Sequence, residues 1–335
     1  MGLRHTPAML EVRQLSLAVP SPRGPLPAVS DVSFTLQPGR VLGLVGESGC
    51  GKTLTAQAIL RLGEHQGIVR TGGAVLLDGD DVFAMDELPL RRMRGGRVAM
   101  VFQEPMTALN PVFSIGSQMT EVIRLHLKLD KAAARARAVQ LLQDVGLQDA
   151  EELLSRYPDE LSGGMRQRVL IAMAMGADPD YIIADEPTTA LDVSVQKRII
   201  RLLRHLQKKR NLGMLLVTHD FGMVAELADD VAVMYAGEIV ESGSVSQLFD
   251  RPAHPYTRAL MGCRPGVSEP GEPLPVIAGN VPNPGAWAEG CRFAPRCRWA
   301  VDACRQKIPL DAWQDKGHLA RCVCVAAVGR DEVVA

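Results

Sequence analysis

The chain is 335 residues long, 47% of them hydrophobic, and its 37 basic and 38 acidic side chains leave a net charge of −1. That length fits one large domain with an appendage, or two domains, and the apolar content is enough for a sizeable core. The near-neutral charge argues against a nucleic-acid-binding surface, and no apolar run reaches the roughly 18 residues of a transmembrane helix.

The first residues, Met1 to Met9, carry no apolar signal-peptide core. The chain is therefore expected to stay in the cytosol and to reach a membrane only through partner proteins. Leu10-Glu11-Val12-Arg13 and Val32-Ser33-Phe34-Thr35-Leu36 alternate as strands do. Pro20, Pro22, Gly24, Pro25 and Pro27 between them predict an exposed turn, and Pro38-Gly39 predicts a second.

The apolar run Val41 to Val45 reads as a buried strand. It feeds Gly46-Glu47-Ser48-Gly49-Cys50-Gly51-Lys52-Thr53, which opens a helix over Leu54 to Leu60. Strand, glycine-rich loop and Lys-Thr at a helix start form the context of a phosphate-binding P-loop. Glycines let backbone N–H groups turn toward a phosphate chain, and the helix start adds a field favourable to anions. Lys52 would reach the β- and γ-phosphates, and Thr53 would offer its hydroxyl to Mg²⁺.

Gly72 to Gly79 reads as a strand closed by an Asp-Gly turn, and Val98 to Phe102 as another, ending at Gln103. Gln103 is placed either to touch Mg²⁺ or water or to be a solvated loop glutamine. Residues 105–160 turn helical in pattern, as a helical insertion between strands would, with Pro105, Pro111 and Gly116 interrupting its start. Leu161-Ser162-Gly163-Gly164-Met165-Arg166-Gln167 then opens an apolar helix. Ser162 can cap it, and Gly163 and Gly164 leave its first N–H groups open to an anion; an ordinary helix start reads the same way.

Tyr181 to Ala184 is an apolar strand ending in Asp185 and Glu186. Asp185 suits a Mg²⁺ shell and Glu186 suits polarising an attacking water. A helix follows Ala190-Leu191-Asp192, with Val195, Ile199, Leu202, Leu203 and Leu206 as its apolar stripe and Lys208-Lys209-Arg210 at its end. Met214 to Thr218 is a further strand, leading into His219-Asp220.

This array resembles the ATP-binding subunit of an ABC transporter over about residues 9–250. The Leu-Ser-Gly-Gly turn shortly before the carboxylate strand, with His219 after it, carries the resemblance most specifically. It implies an α/β fold: a P-loop NTPase (RecA-like) core with an antiparallel β layer and a helical insertion subdomain over about 105–178. It also implies ATP hydrolysis, with Gln103 as the Q-loop glutamine, Ser162, Gly163 and Gly164 in the signature motif, Glu186 as general base and His219 at the γ-phosphate. Mg²⁺ would take Thr53, Gln103 and Asp185. Such subunits work as head-to-tail pairs, so Ser162 and Gly164 would contact ATP held by the partner. Members of the family commonly stack an aromatic residue on adenine upstream of the P-loop; here Leu17-Ala18-Val19 offers none, so an aliphatic contact by Val19 or a neighbour is expected.

Residues 264–286 read as an irregular connection rich in Pro and Gly, within a small extension over 251–335. His254-Pro255-Tyr256-Thr257 with a cysteine-bearing tail resembles the ATPases of dipeptide and oligopeptide importers. That resemblance implies uptake of peptides, with nickel, glutathione or another small solute as the alternative cargo and nucleic-acid handling as a remote one. The implied partners are a second ATPase subunit, two transmembrane permease subunits and an extracytoplasmic solute-binding protein, with the chain peripheral on the cytoplasmic face of the membrane.

Of seven cysteines, five fall late: Cys291, Cys297, Cys304, Cys322 and Cys324. No Cys-x-x-Cys pair is present, so the first four fit a [4Fe–4S] cluster better than zinc, with free thiols as the third reading. The resemblance points the same way. Cys324 reads as the spare, and Cys50 and Cys263 as non-ligands.

Overall fold

The computed structural model describes residues 9–189, 191–263, 276–313 and 317–325. They form two compact units, neither contiguous in sequence: one holds 37–40 and 84–216, the other 9–36, 41–83 and the chain from 217 onward.

In the second of these, Leu10–Val19 lies between Leu26–Leu36 and Val69–Leu77, antiparallel to both. Its buried residues are Leu10 and Val12, then Leu15, Leu17 and Ala18. The alternation slips by one residue, because the register shifts between Val12 and Leu15. Gln14 takes a left-handed φ of 48° there, and its N–H donates to Ser33 Oγ at 2.8 Å. An irregularity of this kind returns the apolar side chains to the core face after an extra residue. The turn expected over Pro20–Pro27 is shorter than predicted, since the next strand already begins at Leu26 and includes Pro27. Leu26–Leu36 is an edge strand, where a missing N–H costs no ladder bond.

The P-loop strand, Val41–Val45, is buried at all five positions and pairs parallel with Asp230–Tyr235. Asp230–Tyr235 pairs antiparallel with Glu238–Ser244, and Glu238–Ser244 with Leu319–Ala320. The tail thus adds a strand beside the core strands of its unit. Its anchor is a dry polar knot. His318 Nε2 lies 2.8 Å from Glu241 Oε1, and that carboxylate also accepts the N–H groups of Ala253 and His254, both at 2.8 Å. The strands Asp230–Tyr235 and Glu238–Ser244, and the helices Phe221–Leu227 and Val245–Asp250, are elements that the sequence analysis did not single out. Residues 276–286 carry no helix or strand; 264–275 of the expected connection lie outside the described residues.

In the other unit, Val98–Val101 pairs parallel with Tyr181–Asp185. Between them the chain is helical, chiefly Ile115–Leu127, Lys131–Asp144 and Gly163–Ala174. Each start is capped by a side-chain oxygen: Ser114 accepts Ser117 N–H, Asp130 accepts Ala133 N–H and Ser162 accepts Met165 N–H. Lys131–Asp144 buries Ala134, Ala138, Leu141 and Leu142, two small residues allowing close approach of its neighbours. Helix Val193–Arg210 follows the carboxylates, and its basic end is ion-paired: Lys209 and Arg210 both reach Asp144, at 3.3 and 3.2 Å.

Candidate functional site

The P-loop is shaped by its own unit. Gly46 has φ 155°, and a Cβ on it would collide with the Met234 carbonyl oxygen and sit 2.9 Å from Cys50 Sγ. Only glycine passes between those groups. Gly51 caps the helix Lys52–Ile59. Lys52 is 5% exposed, and its Nζ donates to the carbonyls of Gly46 at 2.8 Å and Glu47 at 3.0 Å. A phosphate oxygen entering the loop competes with these carbonyls for the ammonium. Ser48 and Gly49 are exposed and Thr53 is half-buried, so the loop's outer face is accessible. Cys50 is fully buried; burial pushes its thiol up despite nearby Lys52, which makes it unreactive.

Two side chains that the sequence patterns did not single out hold this loop. The Glu47 N–H donates to Tyr256 Oη at 2.8 Å. The Glu47 carboxylate is gripped by the Arg296 guanidinium through two parallel bonds of 2.9 and 3.0 Å. Tyr256 belongs to the His-Pro-Tyr-Thr segment and Arg296 to the segment between Cys291 and Cys297.

His219 is exposed at the end of strand Gly213–Thr218. Asp220 beside it caps the next helix, accepting N–H groups of Gly222 at 2.7 Å and Met223 at 3.3 Å. In the Leu17-Ala18-Val19 stretch, Leu17 and Ala18 are buried in the antiparallel sheet and only Val19 is half-exposed.

The other unit carries the carboxylates and the signature turn. Asp185 ends its strand at 2% exposure. Glu186 has φ 43°, a left-handed conformation that costs a non-glycine residue about 1 kcal/mol and commonly marks a functional site. Its Oε2 accepts from Gln103 Nε2 at 3.0 Å and from Thr189 Oγ1 at 2.8 Å. Gln103 and Glu186, 83 residues apart, are thus brought together, and two donors fix the rotation of the carboxylate. Thr189 was not read as a partner.

At the signature turn, Ser162 and Gly163 are exposed and Gly164 is half-buried. A Cβ on Gly164 would lie 2.9 Å from Val195 Cγ1. Arg166 is buried and donates from Nε to Pro158 O at 2.7 Å, fixing the approach to the turn. Ala190 lies outside the described residues; Asp192 caps the next helix through Val195 N–H at 2.9 Å.

The five late cysteines surround Trp299. Cys304 and Cys324 are buried with it, and Cys291, Cys297 and Cys322 pack against them. Cys324, read as the spare, is therefore at the centre of the cluster, its Sγ donating to Trp299 O at 3.1 Å. Burial pushes the thiols of Cys291 and Cys324 up to about 11 and raises those of Cys297 and Cys322. Thiols are the donors that zinc and iron–sulfur centres take. As they stand, however, no three His, Cys, Asp or Glu side chains among the described residues form a group that could hold a metal ion. The donor chemistry suits such a centre; its geometry is not formed. Cys50 and Cys263 are not part of the cluster.

No helix among the described residues is long and apolar enough to cross a membrane. Residues 29–189 match the family described as ABC transporter, and residues 240–304 match the oligopeptide/dipeptide transporter C-terminal region. A putative peptide import ATP-binding protein of Brucella abortus (strain 2308) is 46% identical over 317 residues, 95% of each chain. A probable D,D-dipeptide transport ATP-binding protein of Escherichia coli (strain K12) is 46% identical over 95% of this chain and 97% of its own. The oligopeptide transport ATP-binding protein AppD of Bacillus subtilis (strain 168) is 44% identical over 97% and 99%. Among solved structures, a dimeric ATP-binding cassette in a post-hydrolysis state with ADP and Pi superimposes with a TM-score of 0.63. It is 24% identical and covers 70% of this chain and 98% of its own, a likeness of fold.

Proposed function

The chain belongs to the ABC transporter ATP-binding subunits that carry the oligopeptide/dipeptide C-terminal region, and from that premise we propose that it hydrolyses ATP to drive peptide uptake by a membrane importer. The observation that carries this reading is the continuous match, cassette and C-terminal region together, to relatives named as peptide import ATP-binding proteins. The chain is a peripheral subunit. It would sit on the cytoplasmic face beside a second ATPase subunit and two permeases, served by an extracytoplasmic solute-binding protein.

The proposed chemistry divides among the chain's residues. The loop amides of Gly46 to Thr53 and the Lys52 ammonium bind the phosphates. Glu186 takes the proton of the attacking water, and the donors on its Oε2, Gln103 and Thr189, aim its carboxylate. His219 donates toward the γ-phosphate. Thr53, Gln103 and Asp185 offer oxygen donors of the hard kind that Mg²⁺ takes. When bound, the ion neutralises phosphate charge. Ser162, Gly163 and Gly164 present N–H groups and a hydroxyl to nucleotide held by a paired subunit. The exposure of this turn supports that role.

For the cysteines we propose the finer reading of a [4Fe–4S] centre on Cys291, Cys297, Cys304 and Cys322, with zinc as the alternative. Its support is the gathering of the thiols around Trp299. Such a centre would cross-link the tail. Iron, acid-labile sulfide and zinc measured on anaerobically purified protein decide between the two, and finding none of them ends the proposal.

The transport reading is tested by uptake of a labelled dipeptide and a labelled longer peptide in cells with and without the gene. Wild type should restore uptake and Glu186→Gln should not. Unchanged peptide uptake in the absence of a redundant importer would turn the search to nickel and other small solutes.

A further inference from the structure

The Glu47 carboxylate sits on the second residue of a loop built to receive a polyphosphate. A bare carboxylate there opposes every negative charge that enters. The structure meets it with the Arg296 guanidinium. Arg296 is nearly buried, its side chain 7% exposed, and its donors are all engaged. Nη1 and Nη2 take the two Glu47 oxygens, Nη1 also reaches Tyr235 Oη at 3.4 Å, Nη2 reaches Ile277 O at 3.1 Å, and Nε reaches Ala278 O at 2.8 Å. The guanidinium also lies over the Tyr235 and Phe293 rings, 5.7 and 5.8 Å from their centroids. This is a fork-to-fork pair held in one orientation by carbonyls and aromatic faces, a built contact unlike a pair of surface charges.

Arg296 is itself positioned by the cysteine segment. Ala294 N–H donates to Cys291 O at 3.0 Å, Arg296 N–H to Phe293 O at 2.9 Å, and Cys297 N–H to Ala294 O at 3.2 Å. The turn that presents the guanidinium is bounded by Cys291 and Cys297. At its other end, the Glu47 carbonyl accepts from Lys52. A continuous set of contacts therefore runs from the tail to the phosphate-binding lysine.

We propose that Arg296 is a positioning residue for the P-loop: it orients Glu47 and cancels its charge, so that nucleotide phosphates enter a loop with no uncompensated carboxylate. This rests on the ATP-binding reading of the loop. The proposal makes a prediction of sign that a purely architectural tie does not. Removing Arg296 exposes the Glu47 charge to the phosphates, whereas removing the Glu47 charge leaves Arg296 to attract them.

The test is equilibrium binding of Mg-ATP and Mg-ADP to the full-length chain, with thermal melting of each variant alongside. Arg296→Met should weaken ATP binding by about tenfold, and ADP binding by less, since ADP brings less charge. Adding Glu47→Gln to Arg296→Met should restore ATP binding to within about twofold of wild type, because the offending charge is gone. Glu47→Gln alone should bind ATP more tightly than wild type, because the Arg296 charge then acts on the phosphates. Lys52→Ala serves as the control: if wild type binds no better than Lys52→Ala, the ATP reading itself fails. If wild type binds and Arg296→Met matches it within twofold, or Glu47→Gln brings no rescue, the positioning role is overturned. Should Arg296→Met fail to fold, Glu47→Gln alone decides, because binding no tighter than wild type contradicts the proposal.

Discussion

The P-loop and the signature turn are both glycine-bearing starts of helices, and the chain finishes them differently. The P-loop is held from several sides: Lys52 on its own carbonyls, Tyr256 on the Glu47 N–H, Arg296 on the Glu47 carboxylate. The signature turn has the Ser162 cap at 3.4 Å and the Val195 side chain behind Gly164, with Ser162 and Gly163 exposed. One helix start is shaped within the chain. The other is presented outward, as a surface that another molecule completes would be. Preorganised donors cost little to align when the ligand arrives, so the first should fix intrinsic nucleotide affinity, and the second should matter only in an assembly.

The sharpest way to break this contrast is to remove charge at the chemistry itself. Lys52→Ala should abolish measurable nucleotide binding by the isolated chain. Glu186→Gln should leave binding within a few-fold of wild type while lowering phosphate release in the assembled transporter by about 10³-fold, the scale of a lost general base. If Glu186→Gln hydrolyses ATP at the wild-type rate, the carboxylate held by Gln103 and Thr189 is not the base.

Acid should act next, and on the P-loop side. His254 accepts the Tyr256 N–H on Nδ1 at 3.1 Å and so supports the residue that holds Glu47. Burial pushes its pKa down to about 4, despite the opposing pull of Glu241. The unfolded chain therefore binds a proton that the folded chain refuses. The stabilisation is complete above about pH 6.5 and falls away as pH drops toward 4, by up to about 3 kcal/mol. Melting measured from pH 7 to 4 should show this loss in wild type and a flatter profile in His254→Asn, which keeps an acceptor without the titration. Equal slopes for the two proteins would remove His254 from the account.

The local motifs were legible because each depends on residues close together in sequence. The P-loop needs a strand, glycines and Lys52 within one stretch; the carboxylate strand needs Tyr181 to Glu186. The contacts that tune them were not legible, because they join distant positions with no pattern of their own. Arg296 meets Glu47 across 249 residues, and Gln103 meets Glu186 across 83. An arginine beside a cysteine carries no local sign of its partner. Strands Asp230–Tyr235 and Glu238–Ser244 were missed although they are longer than Val41–Val45 and Tyr181–Asp185, because no motif residue at their ends marks them. The bulge at Gln14 went unread as well: the alternation was taken only over Leu10 to Arg13, and the left-handed residue follows directly after it.

The smallest effect discriminates most finely between the two helix starts. Ser162→Ala removes a cap whose usual worth is about 1 kcal/mol, so melting should shift only modestly. Because the turn is not among the groups that shape the P-loop, Mg-ATP affinity of the isolated chain should stay within about twofold of wild type. In the assembled transporter the same variant should lower hydrolysis by more than a 1 kcal/mol stability change can account for. The missing hydroxyl would then be one that faces the nucleotide of the paired subunit. Weakened binding in the isolated chain would instead mean that the signature turn acts on the chain's own nucleotide. The contrast between a closed site and an open one would then fail.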